Sequence, residues 1–330
     1  MSDHPYAAAG VDIDLEATAI KALIRNLTYR RKGLPRMTGD VGHFAGLLEF
    51  GDYILALTTD GVGTKMLVAD IMSDWTTVGI DCMAMNVNDL YVMNIEPVAF
   101  VDYVATNNLS VEKMSQIGKG LNEGARQANI DIVGGETATL KGLVSSLDLA
   151  GTCLGIQKKE NIVNGEKICP GDVVVGVPST GIHSNGLTLA RKVVEDYAGY
   201  DTFLRSGKTL GEELLTPTRI YSESLTVCAS TPVHGMCHVT GGGLLNFRRL
   251  TRFGFRFTNP ITPPEIFQWI QKTGGINDNE MYRTFNMGMG YAYIVPDPSV
   301  QVILSKISGS QVVGTITQEP GIFLREKKIT

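Results

Sequence analysis

The sequence predicts an α/β protein of two domains, with strands and helices in mixed layers. Three observations carry this expectation. At 330 residues the chain exceeds the roughly 250–300 residues at which a single hydrophobic core stops growing. Apolar β-type segments alternate with helix-periodic ones, yet several successive β segments have no helix between them, which disfavours a purely parallel, doubly wound sheet. A polar stretch at residues 158–170, with the turn signal Asn164-Gly165, separates two such series. The domains are therefore expected at residues 1–165 and 166–330.

In chain order, residues 15–29 read as a helix, followed by a glycine-rich loop containing Gly33, Gly39, Gly42, His43 and Gly46. A strand is expected at 53–57, a helix at 77–93, a strand at 98–104 and a helix at 111–128. Short β segments at 131–133 and 145–156 complete the first half. The second half restarts with the apolar strand 173–177 and continues with helices from about Leu187 and Pro217. Its clearest later strands are 289–295 and 312–316.

Composition narrows the function. Apolar residues make up 43% of the chain and charged residues 19%, as in ordinary globular proteins. The net charge is −5 and the only basic clusters are short, so no nucleic-acid partner is expected. Five cysteines without CxxC spacing give no support to a zinc or disulfide framework. The first residues lack the basic and apolar regions of a signal peptide, and residues 75–93 carry two aspartates and two asparagines, so no membrane segment is expected. A reducing cytoplasm fits best.

The most informative run is Thr59-Asp60-Gly61-Val62-Gly63-Thr64-Lys65, directly after an apolar strand. Read as a tight turn, it delivers a carboxylate, flexible backbone N–H groups, a hydroxyl and an amine to one point, a mixture suited to metal and phosphate. The following helix bears Asp81 and Asp89 as its only charges. Asp81, Met85, Asn88 and Asp89 fall within a sector of roughly 100°. A buried carboxylate needs a counter-charge, and a bound cation would supply one. The run Gly134-Gly135-Glu136-Thr137 reads as another turn with an acid. Asp60, Asp81, Asp89 and Glu136 would together offer the hard oxygen donors that magnesium prefers. In the second half, Gly181-Ile182-His183-Ser184-Asn185-Gly186 and His238-Val239-Thr240-Gly241-Gly242-Gly243 each join a strand to a helix, where anions bind. His183 and His238 are the candidate proton carriers.

These runs, in this order, resemble the phosphoribosylformylglycinamidine cyclo-ligase (AIR synthase) family. The resemblance begins at residues 6–14 and extends through Pro217-Thr218-Arg219-Ile220-Tyr221 to residues 280–288, nearly the whole chain. It implies an N-terminal sheet that pairs across a homodimer, a C-terminal α/β domain, and ATP in the cleft between them. It also implies ATP-driven closure of formylglycinamidine ribonucleotide to aminoimidazole ribonucleotide in purine synthesis. Carried over by position, Asp60, Asp89 and Glu136 would hold Mg²⁺, Lys65 would meet phosphate, and K⁺ remains a further candidate. Gly61, Gly63, Thr64, Asp81, Asn88, Gly134, Gly135, Thr137, Ser184, Asn185, Gly241 and Gly242 complete the implied nucleotide site. One departure stands at Thr139-Leu140-Lys141-Gly142, where many relatives carry Glu-Met-Pro-Gly. Two alternatives stay open at this point: a small-molecule kinase of the same fold, such as one acting on thiamine monophosphate, and a silent nucleotide-binding subunit.

Overall fold

The computed structural model describes residues 13–38 and 44–329. The start of the opening run, with Gly39, Gly42 and His43, lies outside the described residues.

In chain order the first half contains α1 (Ile13–Ile24), β1 (Arg36–Thr38), β2 (Gly46–Phe50), β3 (Tyr53–Gly61), α2 (Lys65–Met72) and α3 (Val78–Tyr91). It continues with β4 (Glu96–Thr106), α4 (Val111–Ala128), β5 (Asp131–Thr139) and β6 (Leu147–Lys158). The strands form one sheet in the order β1-β2-β3-β6-β4-β5. Only β4 and β5 pair in parallel, joined by α4 as a crossover helix.

Burial along β6 alternates from Leu147, so Leu149, Gly151 and Cys153 face the helices while Ala150 and Thr152 face away. That face packs on α3, which is buried almost throughout. Helix α4 crosses α3 closely because the crossing is made of glycine. A Cβ on Gly120 would lie 2.6 Å from the Thr76 carbonyl. Ser110 caps α4 by accepting the Lys113 N–H, and Asn129 ends it in the left-handed region.

The second half contains β7 (Val173–Pro178), α5 (Leu187–Tyr197), α6 (Leu210–Leu215), α7 (Glu223–Ser230), β8 (Gly235–His238) and β9 (Gly254–Phe257). After these come α8 (Glu265–Gly274), α9 (Asp278–Thr284), β10 (Met289–Val295), α10 (Val300–Lys306), β11 (Gln311–Thr317), β12 (Ile322–Leu324) and β13 (Lys327–Ile329). Its sheet runs β13-β12-β9-β11-β7-β10-β8. Strand β10, between β7 and β8, is buried at every position; Tyr291 stacks on Tyr221 and Tyr293 packs against Tyr291. The expected mixed α/β layers are therefore present, as two mixed sheets with helices against them.

Three local expectations change. Asp60 and Gly61 stand in β3 rather than in a turn, because β6 keeps offering partners: Asp60 pairs Gly151 and Gly61 pairs Ala150. The turn is confined to residues 62–64, with Gly63 at φ +67°. Residues 134–137 likewise continue β5, since β4 extends alongside and pairs Glu136 with Tyr103. No helix begins at Pro217; residues 216–221 pass across α3 without helical bonding, and α7 starts at Glu223.

Candidate active site

The end of β3, the buried helix α3, and the loops following β7 and β8 meet in one region between the halves. Asp60 leaves β3 toward α3, whose Asn86 amide donates to the Asp60 carbonyl at 3.2 Å. About one turn of helix beyond Met85, Asp89 lies 3.0 Å from Nδ1 of His238, the last residue of β8. Asp60 and Asp89 feel each other's charge. Desolvation by the surrounding backbone and helix, then the Asp89 carboxylate, push the Asp60 carboxyl up to about 6, even though the residue as a whole is exposed to solvent. The Gly61 N–H, which donates to Asp60 at 2.8 Å, then the charges of His238 and Arg249, act in the opposite direction.

This has a consequence for stability without any ligand. A carboxyl raised in the folded state loses stability as pH climbs from its ordinary value of 3.8 to about 6, and the deficit stays level above that. Asp60→Asn removes the deficit. In metal-free buffer, its melting temperature minus that of the parent should rise between pH 4 and 6 and plateau above. A difference independent of pH across that window counts against the two-carboxylate pocket.

Asp81 and Lys65 lie elsewhere than expected. The Lys65 ammonium is fully buried and sits 2.9 Å from Asp81, also donating to the Thr216 carbonyl at 2.7 Å. Lys65 follows the turn onto the inward face of α2, beside Met66, Val68 and Ala69. Desolvation lowers its pKa, and Asp81 opposes that shift. Asp81 also accepts from the Thr218 N–H at 2.8 Å, the Thr218 hydroxyl at 2.5 Å and the Ser184 hydroxyl at 3.1 Å. The expected phosphate contact and acidic ligand are thus each other's counter-charge. Together they fasten α2 and α3 to the second half.

Asn88 likewise bonds across to the second half. Its amide donates to the Arg219 carbonyl at 2.9 Å and its oxygen accepts the Tyr221 N–H at 3.0 Å. A segment without helix or strand bonding needs such side chains to satisfy its backbone.

Glu136 is separated from Asp60 and Asp89. The register sets Asp60, Gly151, Asp102 and Gly135 in one row across the sheet, so Glu136 stands on the other pleat with Tyr103. Three strand spacings, about 14 Å, also intervene. The expected three-acid group is therefore two acids within one chain. Gly134 and Thr137 share the exposed edge strand with Glu136.

Neither histidine presents a ring nitrogen to solvent. His238 is fully buried, and its second nitrogen faces the Asn88 amide. His183 is 1% exposed, sits at φ +66° and accepts the Thr180 N–H at 3.3 Å. Desolvation, reinforced by His238, Lys65 and Arg219, drives the His183 pKa well down, so the ring is neutral. Both imidazoles are buried behind the cleft-facing residues.

The groups that do line the cleft are different. Gly63 and Gly241 are exposed, and Thr64, Ser184 and Asn185 partly so, while Gly242 is buried at φ +106°. The Thr64 and Thr188 hydroxyls meet at 3.1 Å across the halves. A Cβ on Gly241 would come within 3.1 Å of the Asn185 amide oxygen, so glycine keeps that approach open. The cap of α5 is Gly186.

Sequence reasoning missed Asp102 and Arg249. Asp102 shares Asp60's row and faces inward, where desolvation raises its carboxyl. Its signal was present: Phe100, Asp102 and Val104 are in phase, an acid at an apolar position of the strand.

Comparison with known proteins agrees with this architecture. Residues 42–157 match the family described as AIR synthase related protein, N-terminal domain, and residues 169–327 match its C-terminal domain counterpart. The phosphoribosylformylglycinamidine cyclo-ligase of Methanosarcina barkeri is 53% identical, with 97% of each chain covered. That of Methanocaldococcus jannaschii is 48% identical, covering 94% of this chain and 91% of its own. Among solved structures, AaThiL complexed with AMPPCP and TMP superimposes with a TM-score of 0.69 at 16% identity, over 95% of this chain and 94% of its own. At that identity the likeness concerns the fold alone. With two cyclo-ligases near half identity along essentially their whole length, and both halves matching, the chain belongs to the phosphoribosylformylglycinamidine cyclo-ligase family.

Proposed function

We propose that this chain catalyses the ATP-dependent cyclisation of formylglycinamidine ribonucleotide to 5-aminoimidazole ribonucleotide, releasing ADP and phosphate, a step of purine synthesis. The observation that carries the reading is near-half identity to cyclo-ligases over almost the entire length. The kinase alternative has only fold-level likeness in its favour.

We place the triphosphate against Gly61, Gly63, Thr64 and Gly241, whose backbone approaches the cleft. Ser184 and Asn185 flank it from the second half, and Arg249 adds positive charge. Asp60 and Asp89 fit a hard divalent cation: desolvation first, and then the Asp89 charge, raise the Asp60 carboxyl, and a cation between them would offset both. Mg²⁺ held there would neutralise triphosphate charge. K⁺ adds no residue to this reading. The domains are proposed to divide at residues 1–165 and 166–330.

In the reaction the formyl oxygen of the substrate attacks the γ-phosphorus and ADP departs. The substrate's amidine nitrogen then attacks the activated carbon, and the carbon–oxygen bond breaks to free phosphate. Such chemistry relies on alignment and on exclusion of water. His238 orients Asp89, and the Lys65–Asp81 pair holds the two halves in register around the cleft. The deciding assay measures phosphate release from ATP with and without the amidine substrate. Phosphate and a new aminoimidazole only when both are present support the proposal. A phosphorylated acceptor, or no turnover, overturns it.

We further propose a homodimer through the outer face of the N-terminal sheet. Leu57, Val101 and Tyr103 lie on that pleat and are 44%, 38% and 41% exposed. Gel filtration should give twice 35.7 kDa, and Val101→Asp with Tyr103→Lys should give one chain. No helix among the described residues is long and apolar enough to cross a membrane.

A further inference from the structure

Strands β7 and β8 flank β10, and both run antiparallel to it, so they run parallel to each other. Their last residues lead into the candidate active site. Their first residues therefore share the opposite end of the sheet, roughly 20 Å away along a six-residue strand. At that end three donor side chains converge: Cys169, Asp172 and His234. One ligand atom from each lies within 4.8 Å of the others.

Local structure fixes each of them. Residues 169–172 form a tight turn before β7, with Gly171 at φ +98° and the Asp172 N–H donating to the Cys169 carbonyl at 3.1 Å. The turn aims the thiol and the carboxylate together: Cys169 Sγ is 3.6 Å from Asp172 Oδ1, and the Cys169 N–H donates to Oδ2 at 3.0 Å. His234 precedes β8, anchored by its N–H to the Ile294 carbonyl at 2.9 Å. Its Nδ1 is 2.8 Å from Asp172 Oδ2. Asp172 is 3% exposed, whereas Cys169 is open to solvent. His234 also borders a cavity of about 700 Å³ between the halves, lined in addition by Asn94, Gln157 and Cys228.

We propose that Cys169, Asp172 and His234 form a three-ligand site for a borderline-soft divalent cation of the zinc type, with its fourth position open to solvent. Sulfur, imidazole nitrogen and carboxylate oxygen are the donors that zinc takes, at metal–ligand distances that set ligand atoms about 3.3–3.7 Å apart in a tetrahedron. Cys169 Sγ and Asp172 Oδ1 already satisfy this at 3.6 Å. His234 Nδ1 lies against the other oxygen, Oδ2, at 2.8 Å, so binding requires the carboxylate to turn or the imidazole to draw back by about 0.5 Å. Binding also releases the thiol proton to solvent. The donor set separates this site from the Asp60–Asp89 pocket. Magnesium prefers oxygen alone and does not compete for sulfur. The bound cation would pin the starts of β7 and β8, the two strands whose ends carry the cleft loops.

The test uses the whole chain, reduced, treated with chelator and titrated with Co²⁺ as a spectroscopic stand-in. The expected result is one equivalent bound, with thiolate-to-cobalt charge transfer in the near ultraviolet and visible bands of a four-coordinate ion. Cys169→Ser should abolish the charge-transfer band. His234→Gln should weaken binding roughly 100-fold, at least what losing an outer-sphere partner costs. Cys228→Ser, removing the thiol that lines the cavity, should leave the spectrum unchanged. Zn²⁺ should displace the cobalt and a large excess of Mg²⁺ should not. A charge-transfer band that survives in Cys169→Ser, its absence in the parent protein, or displacement by Mg²⁺ overturns the proposal.

Discussion

Asp89→Asn should reduce kcat/KM for ring closure on the order of 10²–10³-fold, the scale on which losing one preorganised charge-stabilising group acts. Asp89 is a partly exposed carboxylate in the cleft, at the point where α3, β3 and β8 meet. Its loss removes half of the proposed cation site and also the acceptor that holds His238 Nδ1. Two further readouts separate this from general damage. Raising Mg²⁺ should recover part of the activity, since one carboxylate remains. The acid limb of the pH profile should move to lower pH, because the Asp89 charge is among the causes that raise Asp60 to about 6. An unchanged magnesium requirement together with an unmoved acid limb would sink the assignment of these two acids.

Lys65→Met should destabilise the protein by about 3–5 kcal/mol, because it strips a buried carboxylate of its counter-charge. Both side chains are inaccessible to solvent. Asp81 would keep only the Thr218 and Ser184 donors, all on Oδ1, leaving Oδ2 buried without a partner and the charge uncompensated. Urea unfolding of Lys65→Met, Asp81→Asn and the double variant forms a cycle whose coupling term reports the pair. Strong coupling, with the double variant more stable than the sum of the singles, is expected. If Lys65 were instead a phosphate contact, stability would be unchanged and the KM for ATP would rise. The two roles predict opposite observables for one substitution.

Much of the fold was legible in the sequence. Helix 111–128 and strand 289–295 were read at their observed bounds, because each carries a clear period and sharp end signals. The long strands were read short. Glycines at 61, 134 and 135 look like punctuation, but here they pair within a sheet, where the neighbouring strand supplies hydrogen bonds and Gly135 makes room for Asp102. Of the candidate site, the glycine-rich approaches and the Asp60–Asp89 pair were visible as unusual local chemistry. The roles of Lys65, Asp81 and Asn88 were not. All three are polar, all three sit near the right place, and nothing in one dimension tells a buried tie from an exposed ligand.

The sequence by itself determined the layered α/β class, most elements, the family resemblance and two of the acids, since these depend on period, composition and motif order along the chain. Only the tertiary structure decided which polar groups face each other. It paired Lys65 with Asp81, turned Glu136 to the far pleat, buried both imidazoles, and brought Cys169, Asp172 and His234 to one end of a sheet from positions over sixty residues apart. The physical reason is that charge compensation and pleat direction are set by strand order and register, which are contacts between distant segments.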